Sequence, residues 1–217
     1  MVQRILRLLF PPKCVLCKRL LTKEETDFCH QCREKAPEFK KSTLKLSFLA
    51  GWTSVWYYKD MVRESILRYK FGRHRSYAGA YGRALAMKLH KEGRDDFDII
   101  AFVPVAFLRK MKRGYDQVAI LADVLKKELN IPAARALRKT RNTPPQSTIQ
   151  DVARRRANVL GAYRCVDAEA VRGKRVLLLD DVLTTGATAS ECARVLLTAG
   201  AKEVFCATLA VSEYNTK

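Results

Sequence analysis

The sequence predicts an α/β domain with a mostly parallel sheet, preceded by a small cysteine-rich module. Segments of strand and helix character alternate from residue 52 onwards. Two Cys-x2-Cys pairs stand before residue 33, and no further cysteine follows until Cys165. Strands that alternate with helices favour parallel pairing, with helices on both faces of the sheet. We therefore place a four-cysteine zinc-finger module at residues 1–48 and the α/β domain at residues 49–217.

Composition and periodicity identify the elements of the α/β domain. Strand-like segments are rich in β-branched, aromatic or continuously apolar residues, and helical segments repeat apolar residues every three or four positions. The predicted strands are residues 53–58, 97–105, 174–179 and 203–211, and the predicted helices are residues 61–71, 77–90, 115–129 and 187–199. Residues 138–160 are polar and basic and contain Pro144 and Pro145, which predicts a loop before any helix.

The charge of the chain is strongly positive. Its 217 residues include 41 Lys and Arg against 22 Asp and Glu, which gives a formal net charge of +19. A well-solvated basic surface would by itself support solubility. The sharper interpretation is a polyanionic partner, either nucleic acid or a phosphate-rich ligand.

The N-terminal segment does not have the features of a membrane anchor or a secretory signal. No run of 18 apolar residues occurs in the chain, so we expect no transmembrane helix and no membrane insertion. The apolar patch before Pro11 is interrupted by Arg7, and no small-residue cleavage site follows it. These features predict a short amphipathic helix and a cytoplasmic protein.

The paired cysteines predict a metal site. Eleven residues separate the two pairs, whose members are Cys14, Cys17, Cys29 and Cys32. Without a secretory signal such pairs indicate metal ligands rather than disulfides, and four thiolates suit a closed, structural zinc site. A redox dithiol is the alternative, but it normally needs one pair on a βαβ frame. Cys165, Cys192 and Cys206 stand alone, and we interpret them as small core residues.

Basic residues and one aromatic residue surround these cysteines. Such a module can hold single-stranded nucleic acid through phosphate contacts and base stacking. It can equally serve as a docking surface for a partner protein. The candidate nucleic-acid-binding residues are Lys13, Lys18, Arg19, Lys23, Phe28 and Arg33.

The most informative motif is at residues 176–188, where an apolar strand ends in Asp180 and Asp181. A loop of small hydroxyl residues and one glycine follows, and then a helix begins. Ligands of open α/β sheets bind at the carboxyl ends of the strands, and a helix N-terminus suits a phosphate. The two acids can accept hydrogen bonds from vicinal sugar hydroxyls. A phosphate at the loop and a diol at the acids describe a ribose 5-phosphate. The loop residues are Thr184, Thr185, Gly186, Ala187 and Thr188.

This motif resembles the phosphoribosyl pyrophosphate (PRPP) signature of type I phosphoribosyltransferases. Further stretches extend the resemblance to the ComF family, in which a four-cysteine zinc finger precedes a phosphoribosyltransferase domain and which is associated with DNA uptake during natural competence. The matching stretches are Tyr-Lys-Phe-Gly at 69–72, Val-Pro at 103–104, Arg-Gly-Tyr-Asp-Gln at 113–117, Thr-x2-Gln at 143–146 and Arg-x2-Asn-x3-Ala-Tyr at 155–163.

The resemblance implies a type I phosphoribosyltransferase fold and specific roles. Val103 and Pro104 would begin the pyrophosphate loop. The basic segment, whose cations include Arg138, Lys139 and Arg141, would be the mobile loop that closes over PRPP. Catalytic roles fall to Asp180, Asp181, Arg138 and Arg141, and Arg109 joins the PRPP-binding set, while Lys70 and Arg113 are weaker candidates. Magnesium would bind with PRPP, held largely by ligand oxygens and water.

Three functions remain open from the sequence. The first is a competence protein that binds PRPP and also single-stranded DNA through its basic zinc finger, acting with a competence helicase or another DNA-processing protein. This is the function we favour. The second is a soluble transferase that moves ribose 5-phosphate from PRPP to a nucleobase or another small acceptor. The third is a PRPP sensor or adaptor without chemistry, because a complete binding loop does not establish catalysis.

Overall fold

The computed structural model describes residues 11–40, 42, 44–106, 111, 113–141 and 152–212, with the backbone alone at 152, 153, 155 and 156. Arg109 and the Thr-x2-Gln stretch at 143–146 lie outside the described residues. None of the helices in these ranges combines the length and apolar composition that a bilayer crossing needs.

A five-stranded parallel sheet forms the centre of the α/β domain. Its strand order is β1-β7-β6-β2-β3, and every neighbouring pair is parallel. The strands are β1 (Gly51–Tyr57), β2 (Ile99–Phe102), β3 (Ala133–Ala134), β6 (Arg175–Leu183) and β7 (Glu203–Val211). Because β2 is wholly apolar and apolar residues predominate in β6 and β7, their side chains can be buried on both faces of the sheet. The predicted parallel sheet is therefore confirmed.

Helices cover both faces of this sheet. Alternate residues of a strand point to opposite faces, so Leu177 and Leu179 belong to one apolar core while Val176 and Leu178 belong to the other. The first core is covered by α2 (Asp60–Phe71), α3 (Tyr77–Lys91) and α4 (Gln117–Leu129), and the second by α7 (Ala187–Thr198). The isolated residues Cys192 and Cys206 are fully buried in the second core, which agrees with their predicted role as small core residues.

A small antiparallel pair stands beside the main sheet. It joins β4 (Leu137–Lys139) to β5 (Tyr163–Cys165), and α5 (Val152–Val159) precedes β5. A short α6 (Ala168–Val171) then leads into the long strand β6. The sequence prediction missed β3, β4, β5 and α6, because each contains four residues or fewer and is too short to show a period. It also ended β6 too early: the strand continues through both acids to Leu183.

The cysteine-rich module packs against the α/β domain. It contains a one-residue bridge between Lys13 and Leu20 and the short helix α1 (His30–Lys35). Three of its cysteines belong to the same apolar core as residues of α2 and α3. The helix α2 also binds the module directly, because Ser65 and Arg68 both donate hydrogen bonds to the carbonyl oxygen of Val15, at 2.6 and 3.1 Å. The module is therefore docked on the helix that continues to the cavity described below.

Candidate PRPP site and zinc ribbon

A cavity of about 660 Å³ lies at the carboxyl ends of β2 and β6. The segment after β2 contributes Val103 and Pro104, and the end of β6 contributes Asp180 and Asp181. The C-terminal half of α2 and the β4–β5 pair form the remaining walls. Ligands of open parallel sheets bind at this edge. The fold thus brings together segments that lie far apart in the sequence, between Tyr58 and Ala189.

The two acids have different surroundings. Asp181 is 7% exposed, and its carboxylate contacts the Lys70 ammonium at 2.8 Å and accepts a hydrogen bond from Gln117 Nε2 at 2.8 Å. Asp180 is half-buried, and its carboxyl accepts a hydrogen bond from the Asp181 backbone N–H at 2.8 Å. Each carboxyl group still has lone pairs with which a sugar hydroxyl can bond. Asp181 is therefore a fixed anion and Asp180 the more adaptable partner.

These surroundings separate the pKa values of the two acids. Burial and the neighbouring Asp181 carboxylate raise the pKa of Asp180 to about 8. Burial would also raise the pKa of Asp181, but the Lys70 ammonium and the hydrogen bonds from Lys70 and Gln117 hold that pKa below its ordinary value. Two adjacent carboxyl groups cannot both ionise easily at low dielectric. At neutral pH the cavity floor consequently holds one proton on Asp180 and an ion pair at Asp181.

The raised pKa of Asp180 leads to a prediction about stability. Because the pKa is about 8 in the folded protein and near 3.8 in an unfolded chain, the folded state binds more protons between these pH values. The associated stability is complete below about pH 4 and is lost as the pH rises through 8. Asp180→Asn removes this dependence. The melting temperature of the variant minus that of the wild type should therefore increase as the pH rises from about 5 to 8.

The control for this experiment is Asp123→Asn on the exposed side of α4. Its melting temperature should keep a constant difference from the wild type across the same range. A constant difference for Asp180→Asn as well would contradict the proton assignment.

The loop after β6 contributes part of its predicted set to the cavity. Thr184, Gly186 and Thr188 line the cavity, whereas Thr185 and Ala187 are not among the lining residues. Instead the Thr185 hydroxyl accepts a weak hydrogen bond from the Ala187 N–H, at 3.4 Å, which orders the loop. Gly186 has a φ of +75°, a left-handed conformation that favours glycine.

Gly186 has a second reason for lacking a side chain. A Cβ at this position would lie 2.5 Å from Cδ2 of Leu46. Glycine therefore makes room for Leu46, a buried residue near the end of the N-terminal module. The N-terminal segment therefore supports the loop from behind.

Among the described cations of the basic segment, Lys139 is the one that lines the cavity. Arg138 is exposed and lies outside the cavity lining, and Arg141 donates a hydrogen bond to the carbonyl oxygen of Leu160. Lys139 and its register partner Tyr163 line the cavity, with the Lys139 ammonium 5.4 Å from the ring centre of Tyr163. Side chains alternate across a strand, so Arg138 and Lys139 face opposite sides. Only the recognition of β4 as a strand would have selected Lys139.

The stretches at 69–72 and 113–117 contribute further side chains that line the cavity or support its lining. Gln117 was part of the Arg-Gly-Tyr-Asp-Gln stretch without a role, and it now holds Asp181. Tyr69 fixes Gln117, because the buried Tyr69 hydroxyl donates a hydrogen bond to its carbonyl oxygen at 2.6 Å. The weaker candidates Lys70 and Arg113 both line the cavity. The two sequence stretches at 69–72 and 113–117 therefore both contribute residues to the cavity.

The four module cysteines form a cluster suited to a metal. The sulfur atoms of Cys14, Cys17, Cys29 and Cys32 all lie within 4.8 Å of one another, and those of Cys17 and Cys29 are 3.7 Å apart. Tetrahedral zinc with Zn–S distances of about 2.3 Å separates its sulfurs by about 3.8 Å. The donor set and spacing therefore fit zinc. Four thiolates leave no open position for catalysis.

The predicted nucleic-acid-binding residues of the module divide into two groups. Lys13, Lys18 and Lys23 are exposed. The remaining three have contacts within the protein: Arg19 pairs with Glu25, Arg33 donates a hydrogen bond to the carbonyl oxygen of Thr26 at 2.9 Å, and the Phe28 ring packs edge-on against Trp56 at 5.7 Å. Phe28 thus contributes to the junction between module and domain.

Comparison with known proteins identifies both parts of the chain. Residues 80–216 match the family model of the phosphoribosyl transferase domain, and residues 5–43 match that of the double zinc ribbon domain. The first 48 residues contain only four cysteines, enough for one four-thiolate site.

Two of the similar proteins are bacterial. The chain is 27% identical to competence protein ComFC of Bacillus subtilis over 86% of this chain and 72% of that protein. It is 30% identical to the DNA utilization protein YhgH of Escherichia coli K12 over 81% of this chain and 74% of that protein.

Among solved structures, the glutamine PRPP amidotransferase of Bacillus subtilis, complexed with ADP and GMP, matches with a TM-score of 0.45 and 23% identity. The match covers 65% of this chain and 30% of that much longer one. A purine phosphoribosyltransferase of Pyrococcus horikoshii matches with a TM-score of 0.39 and 21% identity, over 64% of this chain and 77% of that one.

The parallel sheet, the acid-and-threonine loop and the family match define a phosphoribosyltransferase-fold protein with an N-terminal zinc ribbon. Within that class, the chain belongs to the ComF family, since its ComFC and YhgH relatives match it over 86% and 81% of its length.

Proposed function

We propose that the chain binds magnesium-PRPP in the cavity and acts on single-stranded DNA. The observation that supports this most strongly is the meeting of Asp180 and Asp181 with Thr184, Thr188 and the Val103 loop in one cavity. The acids suit the ribose diol, and the threonine loop at the start of α7 suits the 5-phosphate. The names of the ComFC and YhgH relatives, which refer to competence and DNA utilization, support a role in DNA handling.

The cavity also has groups suited to pyrophosphate. Lys139 and Arg113 are cations in its wall, and together they can offset the negative charge of a bound pyrophosphate. Magnesium would bind with PRPP, mostly through ligand oxygens and water, and supply further positive charge there. Protonated Asp180 adds no negative charge to the floor at neutral pH, which lowers the electrostatic penalty for a highly anionic ligand.

Isothermal titration with magnesium-PRPP tests the first half of the proposal. We expect saturable binding with one site per chain. Thr188→Val should weaken binding about tenfold, because a hydroxyl donor to a charged phosphate contributes roughly 1.5 kcal/mol or more. The matched control is Thr198→Val at the exposed end of the same helix, which should bind as the wild type does.

Equal affinities of the two threonine variants would show that the phosphate of PRPP does not bind at this loop. Absence of binding to wild-type protein would overturn the PRPP assignment. Release of pyrophosphate in the presence of a nucleobase or another small acceptor would identify the protein as a soluble transferase instead.

A further inference from the structure

One wall of the cavity is a single face of α2. Arg63, Leu67, Lys70 and Phe71 all line the cavity, and their spacing of four, three and one residues places them on one side of a helix. Lys70 is bound to Asp181 at the cavity floor. Phe71, the last residue of the helix, lines the same cavity but is open to solvent, so it lies toward the mouth of the cavity.

Phe71 is an aromatic surface open to solvent. Its side chain is 62% exposed although it lines a cavity. The Arg113 guanidinium lies 4.7 Å from its ring centre, so the ring is held by a cation–π contact. An enclosed small ligand normally has most of its surface buried. A ring as open as Phe71 suits a base that is attached to a strand and remains partly in water.

The surroundings of this ring are positively charged. Arg63 and Arg113 also line the cavity, and Arg73 and Arg75, two and four residues after Phe71, are exposed. Asp181, an acid of the cavity lining, is already paired with Lys70 at 2.8 Å. An aromatic platform with several cations around it is the arrangement by which proteins hold single strands, through stacking and phosphate contacts.

The zinc ribbon, as matched at residues 5–43, contains no comparably exposed aromatic ring among its described residues. Its one aromatic candidate, Phe28, packs against Trp56, and Arg33 is hydrogen-bonded to Thr26 within the module. The ribbon can thus add long-range attraction through its exposed lysines, but base stacking requires another surface.

We propose that single-stranded DNA binds across the mouth of the cavity, with one base stacked on Phe71 and the adjacent phosphates at Arg63 and Arg73. This inference rests on the proposed function, and it moves the stacking contact from the zinc ribbon to the end of α2. A strand held there lies next to the PRPP site, so the two ligands occupy neighbouring parts of one cavity.

Fluorescence anisotropy of a labelled oligothymidylate at about 150 mM salt tests the location, since weak phosphate-only binding is suppressed there. We expect Phe71→Ala to weaken binding about tenfold and Phe71→Trp to retain it, since stacking on one aromatic residue typically changes affinity by this order. Phe48→Ala is the matched control, because Phe48 is 52% exposed and lies outside the cavity lining. Melting temperatures establish that the variants are folded.

The charge-reversal variant Lys13→Glu with Lys23→Glu separates the two surfaces. Loss of binding in this variant, together with unchanged binding in Phe71→Ala, would overturn the inference and place the strand on the zinc ribbon. If the wild-type protein does not bind the oligonucleotide at all, the DNA-binding part of the proposed function fails with it. Titration with magnesium-PRPP tests the other part separately.

Discussion

Asp181→Asn is expected to weaken the binding of magnesium-PRPP by about 100-fold and to lower the stability of the protein. The carboxylate is 7% exposed and is the counterion of Lys70, whose side chain is 16% exposed. Removing one partner of a buried ion pair typically costs 3–5 kcal/mol, and here about 3 kcal/mol is expected, because Asp180 then loses its proton and partly replaces the missing charge. Calorimetry and thermal unfolding measure the two effects.

A double variant separates the effect on binding from the effect on stability. Lys70→Met combined with Asp181→Asn leaves no unpaired ammonium, so much of the stability should return while PRPP binding stays weak. Asp123→Asn, on the exposed side of α4, is the isosteric control and should change neither the affinity nor the stability. Wild-type affinity in Asp181→Asn would show that the carboxylate does not contact the ligand.

Removal of the metal from the ribbon is expected to destabilise the whole chain and not the module alone. Structural zinc contributes on the order of 10 kcal/mol in isolated zinc fingers, which is comparable to the stability of an entire domain. Cys14, Cys29 and Cys32 share a core with Ile66 and Tyr69 of α2. Chelation or Cys32→Ser should therefore lower the melting temperature by more than 10 °C, a change that calorimetry resolves.

The same treatment should also weaken PRPP binding, because α2 joins the two sites. Ser65 and Arg68 hold the carbonyl oxygen of Val15, and Lys70, half a turn further along the same helix, holds Asp181. Cys165→Ser provides the control, since this cysteine lies outside the cluster. A chelated protein that keeps both its melting temperature and its PRPP affinity would refute the structural role of the metal.

Sequence patterns predicted the larger elements and failed on the short ones, for a physical reason. The strands β1, β6 and β7 and the long helices have enough residues to display a period, and β2, although it has only four residues, lies within a longer apolar run. All of them were located to within a few residues. The pair β4–β5 has three residues in each strand, and tertiary pairing rather than local preference determines it. The error at β6 is of a different kind: two acids look like the end of a strand, but Lys70 and Gln117 allow Asp181 to be buried within it.

The candidate site shows the same division between local and long-range information. The loop at 184–188 and the two acids are contiguous, so the motif alone identified them, and Val103 and Pro104 followed from the resemblance. Lys139 was one of several candidate cations, and neither it nor Tyr163 could be singled out, because their place in the cavity depends on a strand register. The ligand contacts of Arg109 stay a prediction, as do those of the remaining loop residues.

The pairing of the first and last strands has a consequence for biosynthesis. In the described sheet β1 is an edge strand whose neighbour is β7, so Gly51 is paired with Phe205 and Tyr57 with Val211. A ribosome must therefore synthesise the chain as far as β7 before β1 can take its place, and contacts so distant along the chain form slowly. Trp56 of β1 meanwhile contacts Phe28 of the ribbon. The cysteine-rich segment, although synthesised before β1, gains its full support only after β7 has formed, and during that interval the nascent chain exposes apolar surface that a chaperone can cover.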